Sequence, residues 1–384
     1  MIYLDHAASS YPKPEMVAKE MASAVMDYGA NPGRSGHELS RKAAEKISDT
    51  RKLLARMFEA PSAEYVIFTQ GATMSLNMAI KGLSWEHGDH VISTAFEHNA
   101  VRRPLEFLKR EYGVKITYIE ADLNGKMSVS ALEDSITENT KAIVTTHGSN
   151  VTGTIVDLSN IDTLVKEKNL TWIVDASQTA GVIPLSMKKL SIDLAAIPAH
   201  KGLLGPQGVG ALLLSKKVQI DPLIHGGTGS FSSEEDMPDK LPFTYEGGTL
   251  NTPGIAGWHE GLKEVERLGE KAIYEHEKSL AEFVLQELKK MPEYKAFGPG
   301  QGRERLGVLS FLLDGVDSQE IAAVLDSHYN IAVRGGVHCS PLLHQQLETA
   351  DCGLIRVSFG PYNTKKEAEE LLAALEEIRD GFLL

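Results

Sequence analysis

The feature that most constrains this chain is the alternation, through its first half and a little beyond, of short β-type apolar runs with segments of helical period. Over 38–58 the apolar positions Leu39, Ala43, Ala44, Ile47, Leu53, Leu54 and Met57 recur with the period of a helix, and after the Pro61-Ser62 break the run 65–68 reads as a strand. The spacing then predicts a helix after Thr73, a strand over 90–94, a helix near 103–111 and a strand over 115–119. Further strands are expected over 142–146, 171–174, 194–197 and 210–214. Strands separated by helices need crossover connections, so the expected fold is α/β with a mostly parallel sheet covered on both faces. Sheets of that kind bind ligands beyond the carboxyl ends of their strands, where the chemically interesting residues of this chain repeatedly fall.

The pattern changes further along. The stretch 225–248 is rich in Gly, Ser, Pro and acidic residues and reads as a long loop or hairpin. Beyond Thr252 the spacing predicts one long amphipathic helix over about 256–289, strands over 308–312 and 331–333, and a helix after Thr364, together a smaller α+β unit. A chain of 384 residues is long enough for two such units. Its formal charge of −13, with no Lys/Arg-rich run, argues against nucleic-acid partners. No uncharged apolar run approaches the roughly 18 residues of a membrane span, and the N-terminus lacks the basic, apolar pattern of a secretion signal. A cytoplasmic protein is expected, with Cys339 and Cys352 reduced, no membrane association and no metal.

Two segments carry chemistry. Trp172-Ile-Val-Asp175-Ala-Ser-Gln178 puts a carboxylate where an apolar strand ends, and a buried carboxylate needs a cation or hydrogen bonds. Taken alone, Asp175 reads equally as a helix cap or half of a core ion pair. Downstream, Pro198-Ala-His200-Lys201-Gly202-Leu-Leu-Gly205-Pro206 sets a lysine in a glycine-dense turn after another strand. Lysines in loops are ordinarily solvated, but the glycines suggest that backbone approaches a ligand closely. An acid at one strand end and an amine at a later one are what pyridoxal phosphate requires: a partner for its pyridine nitrogen and an amine to hold its aldehyde.

At this point the sequence resembles the class V aminotransferase family of fold-type I pyridoxal-phosphate enzymes, in its cysteine desulfurase and selenocysteine lyase branch. The resemblance runs from Tyr3-Leu4-Asp5-His6-Ala7-Ala8 to Arg356-Val-Ser358 and Tyr362-Asn363-Thr364. It implies a large cofactor domain over 15–255 with a mostly parallel seven-stranded sheet, and a small α+β domain from 1–14 with 256–384. Lys201 would hold the cofactor and move the Cα proton, Asp175 would keep the pyridine nitrogen protonated, Gln178 would meet the phenolic oxygen, and His98 would stack on the ring. Ala72 and Thr73, after Gly71 at a helix start, would offer donors to the phosphate; a simple cap by Thr73 fits the same pattern. His200 would reach the phosphate too, as would Thr249 from the second subunit of a homodimer. Asn150 would lie beside cofactor and substrate. Two positions depart from the family: Pro198 stands where a serine is usual, and Ala72 where a hydroxyl residue often stands, which thins the phosphate site.

The last constellation is Arg334-Gly335-Gly336-Val337-His338-Cys339-Ser340-Pro341. A cysteine is typically a small buried hydrophobe, but this one lies in a Gly- and Pro-containing loop beside His338 and downstream of Arg334, surroundings able to favour a thiolate. The resemblance implies that Cys339 takes sulfur from the substrate as a persulfide while alanine leaves, and that selenocysteine depends less on the thiol. Arg356 is expected to bind the substrate carboxylate, with Arg334 and Asn150 also on the substrate side; an ion pair is the plainer reading of Arg356. The short span from Cys339 to Arg356 is like that of the second desulfurase group, whose restrained cysteine passes sulfur to a dedicated acceptor protein. Another class V activity (aminotransferase, epimerase or lyase) and a sulfur-relay scaffold stay open as alternatives, with Cys352 in a packing role.

Overall fold

The computed structural model describes residues 1–33, 36–120, 122 and 128–383. The larger sheet has seven strands in the order Val66–Thr69, Gly210–Leu214, Leu194–Pro198, Thr171–Asp175, Thr140–Thr146, His90–Thr94 and Lys115–Ile119. All pairs are parallel except those of Gly210–Leu214, which runs against both neighbours. Leu194–Pro198 and Gly210–Leu214 are buried along their whole length, which is why they read as continuous apolar runs and not as alternations. The expected strands lie within a residue or two of these bounds. Helices at Glu15–Met26, Leu158–Lys168 and Ser318–Tyr329 add to those the periodicity predicts.

The single helix expected over 256–289 is two, Thr252–Leu268 and Glu270–Leu288. Gly269 separates them with a φ of 83°, a conformation that stops a helix and that glycine adopts without a Cβ penalty. The break serves packing. Trp258 and Leu262 of the first helix enter the core under the large sheet, whereas Leu280, Val284 and Leu288 of the second join Leu309, Phe311, Ile355 and Val357 in another core. That second core lies against a four-stranded antiparallel sheet ordered Arg334–Gly336, Leu354–Ser358, Val308–Leu313 and Tyr294–Phe297. The strand expected over 331–333 is divided as well. Ile331–Ala332 pairs in parallel with the N-terminal Ile2–Tyr3, and after Val333 the chain changes partner to Leu354–Ser358.

The loop expected over 225–248 contains no helix or strand and is tied down near its end by a buried ion pair. Arg51 donates from both terminal nitrogens to the two Glu246 oxygens, each at 2.8 Å, and the Phe68 backbone N–H adds a bond of 2.7 Å to the same carboxylate. Replacing Arg51 with methionine would strand a buried carboxylate, so Arg51→Met is expected to lower stability by about 3–5 kcal/mol in chemical denaturation. Exposed pairs such as Lys19 with Glu15 contribute little by comparison, because solvent screens them. Among the described residues no helix is long and apolar enough to cross a membrane.

Candidate active site

A cavity of about 550 Å³ opens at the carboxyl ends of the parallel strands, walled by the segments that follow Val66–Thr69, His90–Thr94, Thr140–Thr146, Thr171–Asp175 and Leu194–Pro198. Ala7, Ala8, Arg334, His338 and Arg356 close it from the N-terminal arm and the smaller sheet. Lys201, Asp175, Gln178, His98, Ala72, Thr73, Asn150 and His200 all line it, so one space gathers residues far apart in sequence.

Burial pulls the Lys201 amine down to about 8, with Arg356 and Arg334 adding to the effect and Asp175 opposing it. Asp175 ends its strand nearly buried, and one carboxylate oxygen accepts the Ser177 backbone N–H at 2.9 Å. His98 caps the helix Asn99–Tyr112, its Nδ1 accepting from Ala100 N at 3.0 Å, so the ring proton sits on Nε2. Burial first and the Lys201 charge second push its pKa to about 4, which leaves a neutral ring. Gln178 donates to the Ala7 carbonyl at 3.0 Å. The helix Ala72–Lys81 starts at Gly71, whose φ of 144° brings the chain round, and no side chain caps it. Its first N–H groups are therefore the kind that bind an anion.

The glycines around Lys201 turn out to answer to the protein's own packing. A Cβ on Gly202 would stand 2.5 Å from the Ala180 carbonyl oxygen, and one on Gly205 would stand 2.4 Å from the Trp258 ring. Both bring backbone against neighbouring protein rather than against a ligand.

Cys339 is half-buried beside the cavity, not on the wall itself. Asn150 brackets it: the amide donates to the His338 carbonyl at 2.8 Å and accepts from the Ser340 hydroxyl at 2.8 Å. The Cys339 carbonyl in turn accepts the Asn99 N–H at 2.8 Å. His338 and Cys339 are held at φ of 49° and 60°, left-handed values uncommon for residues with side chains. Of the two neighbours expected to favour a thiolate, His338 carries no positive charge. Its Nε2 donates to the Leu354 carbonyl at 2.9 Å, and burial with the charge of Arg356 lowers it to about 2, so the ring is neutral. The cation next to sulfur is Arg334, with Nη2 at 3.9 Å from Sγ.

Arg356 is 1% exposed and donates to Asp5 Oδ1 at 2.5 Å and to the Asn150 carbonyl at 3.0 Å. Its Nε has no partner among the described residues. Asp5 was visible only as part of the Tyr3-to-Ala8 motif, and its pairing with Arg356 depends on the parallel bridge from Asp5 to Ser358. Glu97 was also passed over. It is fully buried and accepts from Thr94 Oγ1 at 2.6 Å and Thr146 N at 2.8 Å. Burial pushes it up to about 8 against those bonds, with the Asp175 charge assisting, so it is mostly protonated at neutral pH. Thr249 is not brought to the cavity of its own chain. It borders a separate depression with Val209 and Leu250, and Asn31 lies 3.4 Å from its hydroxyl.

The profile of the aminotransferase class-V family matches residues 2–371. A probable cysteine desulfurase of Methanothermobacter thermautotrophicus is 32% identical over 382 residues, spanning 98% of this chain and 94% of that protein. A cysteine desulfurase of Escherichia coli O8 is 33% identical over 389 residues, spanning 98% and 93%. Among solved structures, a cysteine desulfurase from Thermococcus onnurineus NA1 has a TM-score of 0.92 at 32% identity, covering 99% of this chain and 95% of its own. With the profile and the fold in agreement along nearly the whole length, this chain belongs to the class-V aminotransferase family.

Proposed function

We propose that this enzyme is a pyridoxal-phosphate-dependent cysteine desulfurase that transfers sulfur from L-cysteine to Cys339 and releases L-alanine. The observation that carries the reading is one cavity holding a lysine, an acid and two arginines, with a free thiol 3.9 Å from the second arginine. The cofactor fits that cavity on two grounds: an amine made more nucleophilic by burial faces it, and an uncapped helix start stands ready for a phosphate. When bound, the cofactor supplies an electron sink for the charge left at the substrate's Cα.

The chain's own residues do the rest. Lys201 would hold the aldehyde and afterwards carry the Cα proton, Asp175 would keep the pyridine nitrogen protonated, Gln178 would donate to the phenolic oxygen, and neutral His98 would stack on the ring. Ala72 and Thr73, with His200, would bind the phosphate, and Thr249 of a second copy would complete that end in a homodimer. The depression beside Thr249 shares Gln70 and Met74 with the cavity wall, which suits a contribution from across an interface. Arg356 would bind the substrate carboxylate while Asp5 and Asn150 hold its guanidinium in plane. Sγ of Cys339 would attack the substrate sulfur; the S–S bond forms as the C–S bond breaks, its electron pair passes to carbon, and a proton taken there yields alanine.

Because Asn150 pins the residues on both sides of Cys339, the thiol has little reach, which supports the second-group reading in which a separate acceptor protein collects the sulfur. A cytoplasmic setting would keep both cysteines reduced. Selenocysteine is the second substrate in prospect. Incubation with each substrate in the presence of a thiol reductant that reduces the Cys339 persulfide, with alanine and sulfide or selenide quantified, tests the proposal; equal amounts of alanine and chalcogen are expected. Transamination or epimerisation without release of sulfur would replace it with another class V activity.

A further inference from the structure

On the backbone of the Lys201 turn the structure places a cation that spacing did not single out. Lys13 lies in the arm that precedes the helix Glu15–Met26. Its Nζ donates to Ser10 Oγ at 2.6 Å and to the His200 carbonyl at 2.8 Å. Among the described residues no carboxylate pairs with it, and burial alone pulls it down to about 8. The ammonium is half-buried, so it keeps its place through the groups it holds.

What it holds is the backbone of the turn. The His200 carbonyl, part of the peptide bond that leads into Lys201, also accepts Ser10 N at 2.8 Å and Ser9 Oγ at 3.3 Å. The next carbonyl, that of Lys201, accepts Ser10 Oγ at 2.9 Å. The peptide planes on both sides of Lys201 are thus tied to one short arm, and burial, then the charge of Lys201 and last that of Lys13 lower His200 to about 4.

We propose that Ser10 and Lys13 are positioning residues for the cofactor: they lock the 200–201 turn so that Lys201 and His200 meet it in fixed orientation. This rests on the assignment of Lys201 and His200 to the cofactor. The test is the rate at which the loaded enzyme loses pyridoxal phosphate into cofactor-free buffer, followed by decay of its visible absorbance band. Lys13→Met should release it about tenfold faster and Ser10→Ala several-fold faster, as expected for loss of charge-assisted and neutral hydrogen bonds. Lys19→Met, at an exposed pair, should behave as wild type. Melting of the cofactor-free proteins is measured alongside. Release at the wild-type rate from both variants would overturn the proposal, as would cofactor-free and loaded proteins losing stability equally with release unchanged. If Lys13→Met does not fold, Ser10→Ala alone decides by the same criterion. Absence of any visible band in wild type would instead overturn the assignment of the cofactor site.

Discussion

Changing Cys339 to serine is expected to cut alanine formation from cysteine by about two orders of magnitude or more and to abolish persulfide on the protein, while cofactor and substrate still bind. Serine keeps the size and the backbone bonds to Asn99 and Asn150, so the loop should stay in place. What is lost is a sulfur nucleophile that can accept a sulfur atom. Arg334, 3.9 Å away, is the cation left beside the position, and it cannot substitute for the thiol. Selenocysteine turnover should suffer less, because the weaker C–Se bond needs less nucleophilic help. Intact mass of the protein after exposure to cysteine, with alanine quantified, checks both halves. Alanine at the wild-type rate from Cys339→Ser would remove the thiol from the mechanism, and sulfur found on Cys352 would move the site.

Lys201→Ala is expected to leave a folded protein that no longer fixes the cofactor under borohydride and whose turnover falls by at least about a thousandfold, since both the covalent hold and the proton carrier are gone. Among the described residues no other lysine lines the cavity. A pH dependence follows from the environment of the amine. Burial brings it from 10.5 to about 8, so the free base capable of capturing an aldehyde grows as pH rises toward 8 and levels above it. The rate at which cofactor-free wild-type protein takes up pyridoxal phosphate should trace that curve. A borohydride-fixed adduct persisting in Lys201→Ala, or an uptake rate that keeps rising in proportion to hydroxide well above pH 9, would contradict the assignment.

Local patterns made much of this molecule legible. The strands Leu194–Pro198 and Gly210–Leu214 follow from short apolar runs between breaks, because burial in a covered sheet demands apolar side chains along the strand. Motif order brought Lys201, Asp175, His98 and Arg356 forward as candidates, and all four line one cavity. The single long helix failed because periodicity on both sides of Gly269 is helical, and only the two separate cores require the chain to turn there. His338 failed for a related reason: adjacency to Cys339 in sequence says nothing of where a ring points, and at left-handed backbone angles this ring points to Leu354.

What the sequence by itself determined is therefore the alternation that dictates a covered parallel sheet, and the chemical identity of the residues at its strand ends. Those depend on burial and on residue type, which are local. Only the tertiary structure decided which charges meet. The Asp5–Arg356 pair spans nearly the whole chain, the Arg51–Glu246 pair anchors a loop, and Lys13 rests on the Lys201 turn. Each arises from electrostatics acting over a few ångströms between segments distant in sequence, and the close approach that makes such interactions strong is created by packing alone.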